Sequence, residues 1–153
     1  MESKIENFIS EIMNSCKISD NDIISIQSSF SAITASLNVR PSDFAKQVKG
    51  FLNSSITMVM PAYNFHDWTE HKQFSAIKTK SEVGALSESF RASSNVIRTK
   101  HPIHSLSVFG NYSEVFSQFN NTNSFDTDSP FDFILKQNGI YITIGTDLEM
   151  PFL

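Results

Sequence analysis

Ile5, Phe8, Ile9, Ile12 and Cys16 recur at the spacing of helix turns, which predicts an amphipathic helix with one buried face. Residues 22 to 27, DIISIQ, are rich in β-branched side chains and predict a strand. Residues 41 to 52, PSDFAKQVKGFL, predict a helix. Pro41 suits its first position, and Phe44, Val48, Phe51 and Leu52 line its inner face. Residues 56 to 61, ITMVMP, are a continuous apolar run closed by proline, the pattern of a strand buried on both faces. From Ala62 to Lys80 no period stands out. The stretch is long for a connection inside a compact domain, so it predicts a functional loop. Helical spacing returns over residues 81 to 91, where Val83, Leu86 and Phe90 share a face and Ser81 with Glu82 suits the N-terminus. SLSVFG, residues 105 to 110, alternates polar and apolar positions before a glycine stop, and Tyr112, Val115, Phe116 and Phe119 mark a short helix. The polar loop that follows ends in a helix start, with Ser129 as N-cap, Pro130 in the first position and Asp132 in the first turn. That helix stops at Asn138-Gly139, and IYITIG, residues 140 to 145, is the last strand.

Helices and strands therefore alternate along the chain. The alternation predicts an α/β domain with a central mixed or largely parallel sheet flanked by helices, a single unit over residues 1–153. The octapeptide TDLEMPFL follows the last strand with no further element to cover it, so the domain reads as incomplete at its C-terminus. Composition narrows the function classes. A 40% hydrophobic content with 14 Phe supports a real core rather than disorder. The net charge of -4 argues against general nucleic-acid binding, which needs clustered Lys and Arg on phosphates. Cys16 is the single cysteine, so no intrachain disulfide forms. No apolar run reaches membrane-spanning length and no signal-peptide core opens the chain, so the expectation is a soluble, cytoplasmic protein.

Candidate chemistry gathers after the strands. QSSFSAI, residues 27 to 33, follows the first strand, where open α/β sheets bind ligands. Backbone N–H groups and the hydroxyls of Ser28, Ser29 and Ser31 suit a phosphate, and a plain capped turn fits the same residues. No glycine-rich phosphate loop or dinucleotide fingerprint is present. Residues 97 to 110, IRTKHPIHSLSVFG, set Arg98, Lys100, His101 and His104 at the mouth of an apolar strand. Pro102 separates the two histidines, and no nearby Cys, Glu or His completes a zinc set, so no metal site is expected. His66 and His71 lie in the irregular stretch and reach the others only by folding. Either histidine of the pair can serve as a capping group or as a base titrating near neutrality. Serine hydrolysis lacks its G-x-S-x-G elbow and needs a nucleophile placed beside His101 or His104. FDTDSPFD, residues 125 to 132, lacks the glycine and terminal glutamate of a calcium loop and reads as turn plus cap.

In order along the chain, SSFSAI, MPAYNF, SEVGALSESFR, VIRTKHPIHSLSVFG, SFDTDSPF and a strand ending in Gly145 resemble the antibiotic N-acetyltransferase family. These are the aminoglycoside 3-N-acetyltransferases and their relatives. The resemblance runs from about Asp22 to the C-terminus and covers the N-terminal portion of the family. It implies an α/β fold distinct from the GNAT acetyltransferases. It also implies acetyl-CoA as co-substrate, no metal, and an amino group of an aminoglycoside or amino sugar as acceptor. On this resemblance Ser28, Ser29, Phe30, Ser31, Arg98, His101 and Ser105 line the donor cleft, and the 62 to 80 loop forms part of the acceptor side.

His104 is the candidate catalytic base within the chain, because the family's usual catalytic histidine follows an apolar lead-in like Pro151-Phe152-Leu153 and falls beyond Leu153. The chain departs from the family at Gln27, where a histidine is frequent, and at Thr34 and Asp126, where glycines are. The expected activity is an acetyl-CoA-dependent N-acetyltransferase, truncated and weak or inactive alone. The alternative is a non-catalytic remnant that binds coenzyme A or a partner chain, with self-association through an unfinished sheet. Asp67, Glu70, Asp126, Asp128 and Asp147 are candidates for an acidic acceptor side that would favour polycations.

Overall fold

The structure is a computed structural model that describes residues 4–52 and 55–146. Five strands form one sheet: β1 (Ile23–Ser28), β2 (Thr57–Pro61), β3 (Ile97–Arg98), β4 (Leu106–Gly110) and β5 (Ile140–Ile144). Their order is β3-β4-β2-β1-β5. β1 runs parallel to both neighbours, β2 and β5, while β4 is antiparallel to β2 and to β3. The sheet is thus mixed. Its antiparallel edge is the part where the chain crosses back from the loop that holds both histidines.

The helices are α1 (Lys4–Ser15), α2 (Phe30–Leu37), α3 (Pro41–Phe51), α4 (His66–His71), α5 (Ala85–Arg91), α6 (Ser113–Gln118) and α7 (Pro130–Lys136). Strand alternation sends side chains to two cores. Ile24, Ile26, Met58, Met60 and Ile142 face α1, α3 and α5, meeting Ile5, Ile9, Phe44, Val48, Leu86 and Phe90. Ile23, Val59, Leu106 and Val108 face the other way, onto Phe116 of α6 and Phe131, Phe133 and Ile134 of α7. All five residues of β2 are buried, as its unbroken apolar run predicts.

Several elements differ from the sequence reading. QSSFSAI is not a turn: helix α2 begins at Phe30 directly behind β1, and Ser29 is its N-cap. The period was hidden because Ser31, Thr34 and Ser36 break an otherwise apolar run. The 62 to 80 stretch holds the short helix α4, whose residues are all partly or fully exposed, so no apolar stripe announced it. Helix α5 starts at Ala85, later than the spacing predicts. Ser81 and Glu82 precede it, and Val83 packs on the α6/α7 side while Leu86 and Phe90 pack on the other. Phe51, expected on the inner face of α3, is 38% exposed.

The start of α7 agrees with the reading. Ser129 is fully buried and its Oγ accepts the N–H of Asp132 at 3.2 Å. Ser129→Ala is expected to lower stability by about 1 kcal/mol, the typical worth of an N-cap hydroxyl. A shift of the urea midpoint with an unchanged slope would show it; an unmoved midpoint would remove the cap from the account.

Candidate functional site

The registers Ser28↔Ile144 and Pro61↔Leu106 put the ends of β1, β2 and β5 and the start of β4 along one border of the sheet. Each sequence motif contributes there, and each is fastened to another. The N–H of Ser29 donates to the carbonyl of Ile144 at 2.9 Å, joining SSFSAI to ITIG. Gly84, with φ of 117°, comes so near β1 that a Cβ would stand 3.9 Å from the carbonyl of Ser28. GALSESFR is thereby joined to SSFSAI. The N–H of Ala62 donates to the carbonyl of Ser105 at 2.9 Å, joining MPAYNF to IRTKHPIHS.

Within this border two neighbouring groups form. The first is Ser28 to Ser31 at the junction of β1 and α2. Ser29 and Ser31 share a hydroxyl hydrogen bond of 2.8 Å, and Ser31 is exposed. Ser29 makes no side-chain cap bond to the helix. The first turn of α2 therefore offers N–H groups and the positive end of its dipole at a strand terminus. Phe30 plays a different part: its ring packs edge-on against Phe44 of α3 at 6.1 Å.

The second group centres on Arg98, which is 9% exposed. Its Nε donates to Ser105 Oγ at 2.8 Å, and its Nη1 and Nη2 donate to the carbonyls of Thr79 and Ala62. The guanidinium carbon lies 4.9 Å from the centre of the Phe74 ring. Burial, with Arg91 nearby, pulls its pKa down to about 10, which still leaves the cation charged at neutral pH. Arg98 therefore spends its hydrogen bonds inside the protein, clamping both ends of the 62 to 80 segment. Other charges fasten the same segment. Arg91 Nη1 donates to the carbonyl of Ile77 at 2.7 Å, and the Glu82 carboxylate accepts the N–H groups of Phe65 and His66 at 2.9 and 3.1 Å. Burial pushes the Glu88 carboxyl up, but hydrogen bonds from Arg91 and the Ser81 N–H outweigh it and hold the group below the usual range.

His101 and His104 lie beside each other, ring centres 5.8 Å apart. His101 is buried and its Nδ1 accepts the N–H groups of Ile103 and His104 at 3.2 and 3.0 Å. Nε2 is then the donor, 3.1 Å from the carbonyl of Thr122. His104 is half-buried between Tyr63, Phe65 and Phe125, with ring centres at 5.2, 5.7 and 5.4 Å. Its Nδ1 is 2.6 Å from Ser124 Oγ. Burial, and then His101, lowers the pKa of His104 below the ordinary imidazole value.

Tyr63, Phe65, Ser124 and Phe125 were missed in the sequence because each sits in a segment without a period, and only the folded loops bring them to His104. Gln27, standing where the family often has histidine, accepts a hydrogen bond from the Tyr141 hydroxyl. These two, with Tyr63, Phe131 and Ile134, border a cleft of about 160 Å³ on the α7 side of the sheet. Burial raises the Tyr63 hydroxyl pKa well above its ordinary value, so the phenol stays protonated. Three of the acidic candidates have local partners, and Glu70 lies exposed on α4. Asp67 accepts from Asn64 at 3.4 Å, Asp126 from Asn123 at 3.2 Å, and Asp128 pairs with Lys136 at 3.8 Å. Asp147 and Pro151-Phe152-Leu153 lie outside the described residues. His66 and His71 both sit on α4, rings 6.4 Å apart, and no group of three metal-ligating side chains occurs among the described residues. No described helix is long and apolar enough to cross a membrane.

Residues 26–151 match the family described as aminoglycoside 3-N-acetyltransferase. No curated protein matches the chain in sequence. Among solved structures, the aminoglycoside acetyltransferase AAC(3)-IVa apoenzyme superposes with a TM-score of 0.76 at 19% identity, covering 95% of this chain and 55% of that one. AAC-IIIb, described as binary with CoASH, gives 0.78 at 16% identity, with 95% and 60% covered. The YokD protein from Bacillus subtilis gives 0.69 at 17% identity, with 84% and 59% covered. The chain thus spans just over half the length of these solved relatives.

Proposed function

Because this chain belongs to the aminoglycoside 3-N-acetyltransferase family, we propose that it carries the donor side of an acetyl-CoA-dependent N-acetyltransferase. The acceptor is an amino group of an aminoglycoside or a related amino sugar, and the protein works in the cytoplasm as one unit of residues 1–153. The observation that carries the reading is the convergence of SSFSAI, MPAYNF, GALSESFR, IRTKHPIHS and the end of ITIG on one border of the sheet, at the strand ends where α/β folds bind ligands. The β1–α2 junction suits the phosphates of the donor, since Ser29 and Ser31 hydroxyls and the N–H groups of the first turn face the same anion-favouring end. Arg98 supports this reading only as a frame: its cation holds Ala62, Thr79 and Ser105 in place of a phosphate. His101 and Ser105 likewise hold loop backbone, so of the two neighbouring imidazoles His104 is the one offered for substrate chemistry. A second reading is a non-catalytic chain that binds coenzyme A or pairs with another copy. It is favoured by β5, whose ladder among the described residues pairs with β1 on one side only.

The test is thermal unfolding of the purified chain with and without acetyl-CoA. Ligand at ~100 times its dissociation constant adds about 2.7 kcal/mol, a rise of several degrees for a domain of this size. A cooperative transition that rises with acetyl-CoA supports a folded donor cleft. An unmoved transition rejects donor binding, and a midpoint that depends on protein concentration alone favours pairing between copies.

A further inference from the structure

Ser124 stands between two imidazoles, and on the His101 side the hydrogen-bond polarity is set by the backbone. His101 uses Nδ1 as an acceptor for two backbone N–H groups, so its Nε2 carries hydrogen; that Nε2 lies 3.3 Å from Ser124 Oγ. That single hydrogen is shared between the Thr122 carbonyl at 3.1 Å and the serine oxygen, and in the His104 tautomer that carries its hydrogen on Nε2 the serine proton points at Nδ1, 2.6 Å away. A hydroxyl that accepts from one side and donates to an imidazole on the other has the arrangement of an activated nucleophile. We propose that Ser124 is a nucleophile, with His104 as its general base, that accepts an acyl group from an activated ester or thioester.

The surroundings suit that role. His104 is wedged among Tyr63, Phe65 and Phe125, and this apolar packing favours the neutral ring, the form that accepts a proton. Ser124 is half-buried, while Phe125 beside it is 66% exposed. Thr122, Asn123 and Asp126 of the same loop border an open groove of about 580 Å³ along α6, which gives an acyl donor an approach to the loop. In the step itself, Oγ bonds to the acyl carbon and the bond from that carbon to the leaving oxygen or sulfur breaks. The hydroxyl proton passes to His104 Nδ1 and from there to the leaving group, so nothing is oxidised or reduced. His101 Nε2–H remains as a donor beside the reacting oxygen. This chemistry is distinct from direct transfer to an amine and does not rest on coenzyme A binding.

The experiment treats the whole chain with a fluorophosphonate probe and, separately, with p-nitrophenyl acetate and with acetyl-CoA, and maps the modified peptide by mass spectrometry. The expected adduct is on Ser124, absent in Ser124→Ala and formed at least about tenfold more slowly in His104→Gln, in line with loss of a general base. Acetylation of Ser124 by the aryl ester alone identifies simple activated esters as the acyl source, and acetylation by acetyl-CoA as well adds thioesters; both support the nucleophile. A probe adduct at another residue, no adduct, or an unchanged rate in a folded His104→Gln overturns it. Ser124→Cys gives a second test that keeps His104. Its new thiol is expected to be alkylated at neutral pH at least tenfold faster than Cys16, and an equal rate would equally overturn the pairing.

Discussion

Replacing Arg98 with alanine is expected to cost about 3–5 kcal/mol, a large share of the stability of a domain this size. The side chain is buried and donates to the Ala62 and Thr79 carbonyls and to Ser105 Oγ. Truncation strips the Thr79 carbonyl and Ser105 Oγ of a charged donor and removes the cation that faces Glu88 and Phe74. Ala62 keeps one donor, the Ser105 hydroxyl at 2.8 Å, so the loss falls mainly on the far end of the segment. The midpoint should fall by ~2–4 °C for each kcal/mol. Arg98→Lys should recover less than half of the loss, because one ammonium cannot serve partners set around a planar fork. A second signature separates a clamp from general destabilisation: below the midpoint, trypsin should cut Arg98→Ala after Lys72, Lys78 or Lys80 faster than the parent chain. Equal cutting at matched fractional stability would mean that Arg91 and Glu82 hold the segment without it.

Gly110→Ala should cost a comparable amount. Gly110 ends β4 opposite Thr57, with φ of 118°, a conformation that side chains rarely adopt. A Cβ there would stand 1.9 Å from the carbonyl oxygen of Ile56 and 2.9 Å from the Cα of Thr57. Neither neighbour is a flexible tip; both are backbone, with β2 buried along its whole length. Backbone strain of about 1–3 kcal/mol adds to overpacking of about 1–3 kcal/mol. The variant is expected to lose its cooperative transition at 37 °C or to collect in the insoluble fraction. Near-wild-type melting would show that β4 can part from β2 at its end without harm.

The parts of the fold that could be read from the sequence are those whose pattern is set by one strong local cause. The unbroken apolar run of β2 and the Ser129-Pro130 start of α7 appear where the spacing puts them, as does the stripe of α1 except Cys16, which is exposed just past the helix end. Helix α2 was hidden by its own polarity, since Ser31, Thr34 and Ser36 interrupt the apolar face and only Ile33 is buried. The site was legible by type and not by role. Arg98 was read as a donor-cleft cation, yet its partners lie at Ala62 and Thr79, far along the chain, and no local pattern reports them. His101 and His104 stand out in sequence, but what joins them is Ser124, a serine in a Ser- and Asn-rich loop like several others.

The parallel pairing of β1 with β5 sets the timetable of assembly. Ile24 is made early and waits for Ile140, its partner in the ladder. Until β5 leaves the ribosome, one side of β1 is an open edge, and Ile24 and Ile26 lack Ile142 from their shared cluster. Local elements cannot close this gap, because the contact spans most of the chain and the loop entropy falls due before the ladder forms. During synthesis the nascent chain therefore carries a sticky, half-built sheet until residue 144 is made. Slow codons before residue 140 would lengthen that exposure, and holdase chaperones that cover apolar strands would shorten it.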